Sequence, residues 1–216
     1  MCLILVAWRT QPGHALVVAA NRDEFHGRAA APAAFWEDQP GILAGRDLEA
    51  RGTWMGVSRA GRFAAVTNFR GAHEPRAAES RGALVARFLE NGQAAGSYLR
   101  TITPTAYSGF NLLACDGEEL WAMSNRGGEP RRLEPGVYGL GNTVIDAPEV
   151  EGSKRRFARA LEAGTAVEPL FTVLAEAKIL NPVYGTRCST VSFGRRYAER
   201  SFAADGGELD TLQYEY

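Results

Sequence analysis

The sequence predicts an α+β fold in which antiparallel sheets are covered by helices, and three observations lead there. Short β-rich apolar runs come in pairs around turn residues, as the strands of hairpins do. Helical patterns fall in two separate blocks, so the order is strands, helices, strands, helices, strands. That is not the regular βαβ alternation of a parallel sheet. The length of 216 residues, 45% of them apolar, suits a sizeable core, and with no repeat or linker one domain over residues 1–216 is expected.

Leu3–Ala7 and Ala15–Ala20 open the chain as two apolar runs around Arg9-Thr-Gln-Pro-Gly13, which reads as a hairpin. Their continuous hydrophobicity implies strands covered on both faces. Residues 27–41, rich in Ala and Pro, read as a long loop. Trp54–Ser58 and Phe63–Asn68 form a second strand pair, turning at Arg59-Ala-Gly61. Ser80 is placed to cap a helix whose Leu84, Val85, Phe88 and Leu89 share one face and which stops at Asn91-Gly92. A shorter helix is expected over Gln93–Thr101. Phe110–Cys115 and Leu120–Ser124 make a hairpin across Asp116-Gly117, a favoured turn pair, and Tyr138–Leu140 a short strand. Helices follow over Lys154–Ala163 and Pro169–Ile179, the second with Pro in its first turn and Leu170, Val173, Leu174 and Ala177 on one stripe. Strands Thr190–Phe193 and Tyr197–Phe202 close the pattern.

The formal net charge of −1 provides no field for nucleic acid or an anionic membrane, so neither is an expected partner. No run is long and apolar enough for a membrane span, and the first residues lack the basic region and cleavage pattern of a secretory signal. Cys2, Cys115 and Cys188 are odd in number and widely spaced, which fits neither a disulfide framework nor a zinc site. A reducing cytoplasm is the expected location. His14, His26 and His73 show no metal-ligand spacing, and no cofactor is expected.

Cys2 carries the chemistry. Removal of Met1 would leave a thiol and a free α-amine on one residue, and that amine, with a pKa of roughly 7.7–8.0, is partly neutral near pH 7. It can take the thiol proton directly or through one water, supplying a nucleophile and a general base together. Asn21-Arg22-Asp23-Glu24 ends the second strand, and a hairpin turning at residues 9–13 returns that end beside Cys2. Alternation puts Asn21 and Asp23 on one side and Arg22 and Glu24 on the other. Asp23 is the choice to orient the N-terminal ammonium. Asn68 and Asn142, each at a strand end, are candidate oxyanion donors. Arg187, entering the final strands, is a candidate to support the thiolate.

Cys2, Asn21-Arg-Asp-Glu-Phe25, Ala31-Pro-Ala-Ala-Phe-Trp36, Gly52-Thr-Trp-Met-Gly56, Gly61-Arg-Phe-Ala-Ala65, Thr67-Asn-Phe-Arg70 and Gly185-Thr-Arg-Cys-Ser-Thr190 resemble the NRDE family, also called the transport and Golgi organisation protein 2 family. The resemblance spans essentially the whole chain. It implies a four-layer αββα sandwich of two antiparallel sheets between helices, the fold of N-terminal nucleophile hydrolases. More distantly, the chain is similar to choloylglycine hydrolases and penicillin V acylases. That similarity carries the nucleophile to Cys2, the amine-orienting Asp to Asp23 with Asn21 beside it, an oxyanion Asn to Asn68, and the later Asn and Arg to Asn142 and Arg187. One departure stands out: that group has Arg immediately before its Asn, where this chain has Ala20. Arg22 emerges on the same face if the strand continues, and is expected, with Asn21, to contact substrate.

The expected activity is Cys-dependent hydrolysis of a linear amide or acyl bond in a small-molecule substrate. The family resemblance also implies an alternative, a non-catalytic carrier of haem or an acyl lipid; for haem, His26, His73 and Cys2 are the candidate axial ligands.

Overall fold

The computed structural model describes residues 2–71 and 77–216; Met1 and His73 lie outside the described residues. The chain opens with β1 (Leu3–Gln11) and β2 (His14–Phe25), then β3 (Ala30–Phe35), β4 (Ile42–Asp47), β5 (Met55–Ser58) and β6 (Phe63–Asn68). Helices α1 (Arg81–Glu90) and α2 (Ala95–Thr101) lead to β7 (Phe110–Cys115), β8 (Leu120–Ser124), β9 (Arg131–Leu133) and β10 (Gly136–Leu140). Helices α3 (Glu151–Glu162) and α4 (Val167–Ala175) precede β11 (Tyr184–Phe193), β12 (Arg196–Phe202) and β13 (Glu208–Glu215). Contacts divide these elements into two compact units. One contains residues up to 28, 135–141 and 145–216, and the other residues 29–134 and 142–144.

The first unit is built on a six-stranded antiparallel sheet in the order β10-β1-β2-β11-β12-β13. Leu3, Leu5 and Ala7 of β1 and Val17 and Ala19 of β2 share a core with Val191, Phe193 and Ala198. Phe157 and Leu161 of α3 and Leu170, Phe171, Val173 and Leu174 of α4 cover it, as the helical stripes predict. Each such side chain contributes about 1.5–3 kcal/mol by leaving water. Helix α4 starts at Val167 and ends at Ala175, two residues earlier and four earlier than the pattern suggests. Strand β11 starts at Tyr184 rather than Thr190, and β13 forms an edge not read from the sequence.

The second unit is a seven-stranded meander in the order β3 to β9. Leu84, Val85, Phe88 and Leu89 of α1 and Ala95, Tyr98 and Leu99 of α2 pack on Ala64, Val66, Leu112 and Ala114. Ser80 precedes α1, but its side chain makes no capping hydrogen bond. Arg62 instead serves the other end of the helix, donating from Nε to the Phe88 carbonyl at 3.0 Å and from Nη2 to that of Gln93 at 2.6 Å. The expected loop over residues 27–41 is corrected in part, because β3 lies within it. Strand β3 is an edge, and its register slips between Ala31 and Ala34, where Pro32 needs no ladder partner.

Candidate active site

Pairing of β1 with β2 runs from Leu3↔Asn21 to Trp8↔Leu16, so the residue before Leu3 sits at the end of β2. On its other side β2 meets β11, with Asp23↔Thr186, Arg22↔Cys188 and Asn21↔Ser189. Arg187 is the extra residue of a bulge between Thr186 and Cys188. Two residues apart in a regular strand share a face. The bulge separates them here, giving Thr186 to the side of Asp23 and Cys188 to the side of Arg22.

Cys2 is buried, and its thiol donates to the backbone carbonyl of Asp23 at 3.4 Å. The Tyr184 hydroxyl donates to the same oxygen at 3.0 Å. The Asp23 carboxylate accepts from the Thr186 hydroxyl, Oγ1 to Oδ1, at 2.6 Å. That hydroxyl in turn accepts from the Ile179 backbone N–H at 2.8 Å, so its direction is fixed from both sides. Gly185 permits this packing: a Cβ there would lie 2.9 Å from the Ile179 carbonyl oxygen. Burial, reinforced by the negative charge of Asp23, pushes the Cys2 thiol up to about 11. Burial also raises the Asp23 carboxyl, with the Thr186 hydrogen bond opposing it. The Tyr184 phenol is raised by burial and then by Cys2 and Asp23.

The remaining β2 residues divide between faces as alternation requires. Asn21 is fully buried, donates from Nδ2 to the Leu174 carbonyl at 2.9 Å, and accepts from Ser189 Oγ at 2.6 Å. Its carboxamide ties β2 to α4 and β11; both ends are used in the scaffold rather than offered to a substrate. Strand β2 continues unbroken to Phe25, so Arg22 emerges on the face of Ala20. The Arg22 side chain is 10% exposed, with the Glu24 carboxylate 4.0 Å away.

Arg187 is placed differently from the sequence expectation of a thiolate partner. Its Nη1 reaches the carbonyl oxygens of Phe25, His26 and Arg28 at 3.0, 3.2 and 3.1 Å. The bulge frees this side chain to clamp the chain leaving β2. His26 Nε2 lies 3.0 Å from the Asn181 carbonyl, which can only accept, so that nitrogen carries the proton.

Asn68 and Asn142 belong to the second unit and meet there. Asn142 Nδ2 donates to the Asn68 carbonyl at 2.7 Å, and the Asn142 carbonyl accepts from the Arg70 N–H at 2.5 Å. The Asn68 side chain ends β6 in an exposed position. Sequence reasoning missed Tyr184 and Thr186 as site residues, although both lie in the segment that singled out Arg187. Among the described residues no group of three His, Cys, Asp or Glu could hold a metal ion, and no helix is long and apolar enough to cross a membrane.

Comparison with solved structures gives the fold over the whole chain. A mutant of the conjugated bile acid hydrolase of Clostridium perfringens superposes with a TM-score of 0.60 at 10% identity, covering 100% of this chain and 97% of the hydrolase. Penicillin V acylase from Agrobacterium tumefaciens gives 0.57 at 14% identity, covering 99% and 86%. The Caenorhabditis elegans orthologue of N-acylethanolamine-hydrolyzing acid amidase gives 0.54 at 13%, covering 88% and 92%. The α+β fold of N-terminal nucleophile hydrolases expected from the sequence is therefore the fold of this chain. At the level of sequence, a transport and Golgi organization protein 2 homolog from Bos taurus is 33% identical, covering 88% of this chain and 87% of its own length. The Mus musculus homolog is 35% identical, covering 84% and 72%. The family model described as transport and Golgi organisation 2 matches residues 1–183, and the chain belongs to that family.

Proposed function

We propose that the mature chain is a Cys-dependent N-terminal nucleophile hydrolase that cleaves a linear amide or related acyl bond in a small molecule. With Met1 in place the nitrogen of Cys2 is an amide and no base, and a thiol held near 11 is almost wholly protonated at pH 7. Loss of Met1 gives Cys2 an amine in the range where it accepts a proton near neutral pH. The thiol proton passes to this amine as sulfur attacks the substrate carbonyl. The resulting ammonium returns the proton to the leaving amine, leaving a thioester. Water attacks that thioester with the Cys2 amine taking its proton, the C–S bond breaks to release the acid, and the ammonium returns the proton to the sulfur. Asp23, oriented by Thr186, holds the ammonium form, and Tyr184 fixes the Asp23 carbonyl against which the sulfur rests.

Asn68 and Asn142 enter this reading as the carboxamides expected to hold the oxyanion, Asn142 through its hydrogen bond to Asn68. No step calls for a cofactor. Three free, buried cysteines suit chemistry in a reducing cytoplasm. The observation that carries the reading is the shared acceptor: the sulfur of the second residue lies on the backbone of Asp23, whose carboxylate is itself fixed. Intact-mass spectrometry of the purified protein before and after an activated acyl ester tests it. Loss of Met1 and one acyl adduct, absent from Cys2→Ala, are expected; retained Met1 with no adduct at Cys2 refutes it.

A further inference from the structure

Arg22 is a buried cation in the first unit that the hydrolytic steps leave unused. The residue is 8% exposed, yet among the described residues its guanidinium makes no hydrogen bond, and its one ion pair is Glu24 at 4.0 Å. Glu24 is itself divided, with Arg28 Nε 4.0 Å away and its Oε1 accepting from the Phe25 N–H at 2.9 Å. A guanidinium offers five N–H donors in a planar fork, and holding it largely out of water without a protein acceptor costs free energy, although no Arg22 nitrogen is fully buried. Such a group costs less when an anion arrives to fill the fork.

The surroundings say which anion. The Leu3↔Asn21 pair brings Cys2 level with Arg22 near the end of β2, and the Cys2 thiol and the Tyr184 hydroxyl both rest on the carbonyl of Asp23, the residue next to Arg22. Asp23 and Glu24 contribute negative charge to the same neighbourhood. A dianion would meet repulsion from both, whereas a monoanionic carboxylate matches one Arg fork without adding a second negative charge.

We propose that Arg22 anchors a free carboxylate on the substrate, close to the acyl bond attacked by Cys2. The placement beside that bond rests on the hydrolase reading; the anion site itself stands on Arg22. Calorimetric titration of the Cys2→Ala protein with N-octanoylglycine, its methyl ester and octyl phosphate tests it without turnover. The octanoyl chain has an apolar contact available in Phe25, 57% exposed and edge-on to Tyr184 at 5.2 Å. The acid should bind at least about tenfold more tightly than the ester, a difference that Arg22→Gln abolishes and Arg22→Lys only reduces. Ligand-free Arg22→Gln should melt no lower than the parent, since it removes a buried charge without hydrogen bonds.

Equal affinity for acid and ester, an acid preference that survives Arg22→Gln, tighter binding of octyl phosphate, or a lower melting temperature in Arg22→Gln would each overturn the proposal. If Cys2 proves unable to take an acyl group, the acid preference is still expected. If Cys2 acylates and no acid preference exists, the carboxylate site alone falls.

Discussion

Tyr184 and Cys2 share a single acceptor: the phenol donates to the Asp23 carbonyl at 3.0 Å and the thiol to the same oxygen at 3.4 Å. The better donor therefore fixes the oxygen against which the weaker one lies, and it does so from β11, a strand that pairs with β2 and not with β1. Tyr184→Phe keeps the ring edge-on to Phe25 but removes that donor. The half-buried hydroxyl costs about 1 kcal/mol of stability when lost. The rate constant for acylation of Cys2 should fall about tenfold with the substrate KM little changed, because the change touches the position of the sulfur and not the substrate. Single-turnover kinetics on the Met1-free protein check this, and a rise in KM with an unchanged rate constant would count against a positioning role.

Thr186 holds Asp23 by a hydroxyl that both donates and accepts. Thr186→Val preserves the shape and removes two hydrogen bonds, one to the Asp23 carboxylate and one from the Ile179 N–H. A loss of about 2–3 kcal/mol is expected, together with a clear fall in activity. Thr186→Ser keeps the hydroxyl and should recover most of the activity while losing only packing. Chemical denaturation and turnover of the two variants, measured side by side, separate the hydrogen bonds from the methyl group.

The Cys2 thiol makes stability depend on pH in a fixed direction. In protein that retains Met1, the folded state holds the proton to about 11, against 9.0 for an ordinary thiol. Between those values the unfolded chain binds fewer protons, so stability is full below about pH 8.5 and falls as pH rises through 11. The contribution is on the order of 2–3 kcal/mol. Cys188, raised by burial and by Glu199, adds to the same decline. Cys2→Ser should make the fall between pH 8.5 and 11 shallower without abolishing it, as read from urea midpoints across that range.

How far the sequence could disclose this arrangement depends on what each residue does locally. The hairpin of β1 and β2 is legible because two apolar runs flank a Pro-Gly turn, and that hairpin alone brings Cys2 to Asp23. Strand β3 is not, since Ala-Ala-Pro-Ala-Ala-Phe has little β propensity and takes its form from pairing with β4. Asn21 reads as a site residue by its polarity, but that polarity serves the Leu174 carbonyl and Ser189. The roles of Thr186 and Arg187 hang on one bulge, which reassigns faces in β11 and leaves no mark in a period-two pattern. Tyr184 is hidden for a different reason: next to Gly185 it looks like part of a turn, whereas it begins a strand.

Asn68 and Asn142 allow the oxyanion role to be separated from structure. The Asn68 side chain is exposed, so Asn68→Ala should leave the melting temperature within about 1 °C. If its carboxamide holds developing charge, the rate should fall on the order of 100-fold or more. Asn142 instead binds the Asn68 backbone through Nδ2, and its own backbone carbonyl receives the Arg70 N–H. Asn142→Ala therefore loosens the end of β6, and it should lower both stability and rate. Asn142→Asp retains the shape but replaces the donor with an acceptor facing a carbonyl, which should be worse than Ala on both counts. A rate loss in Asn68→Ala matched by an equal loss of folded protein would assign Asn68 to the scaffold.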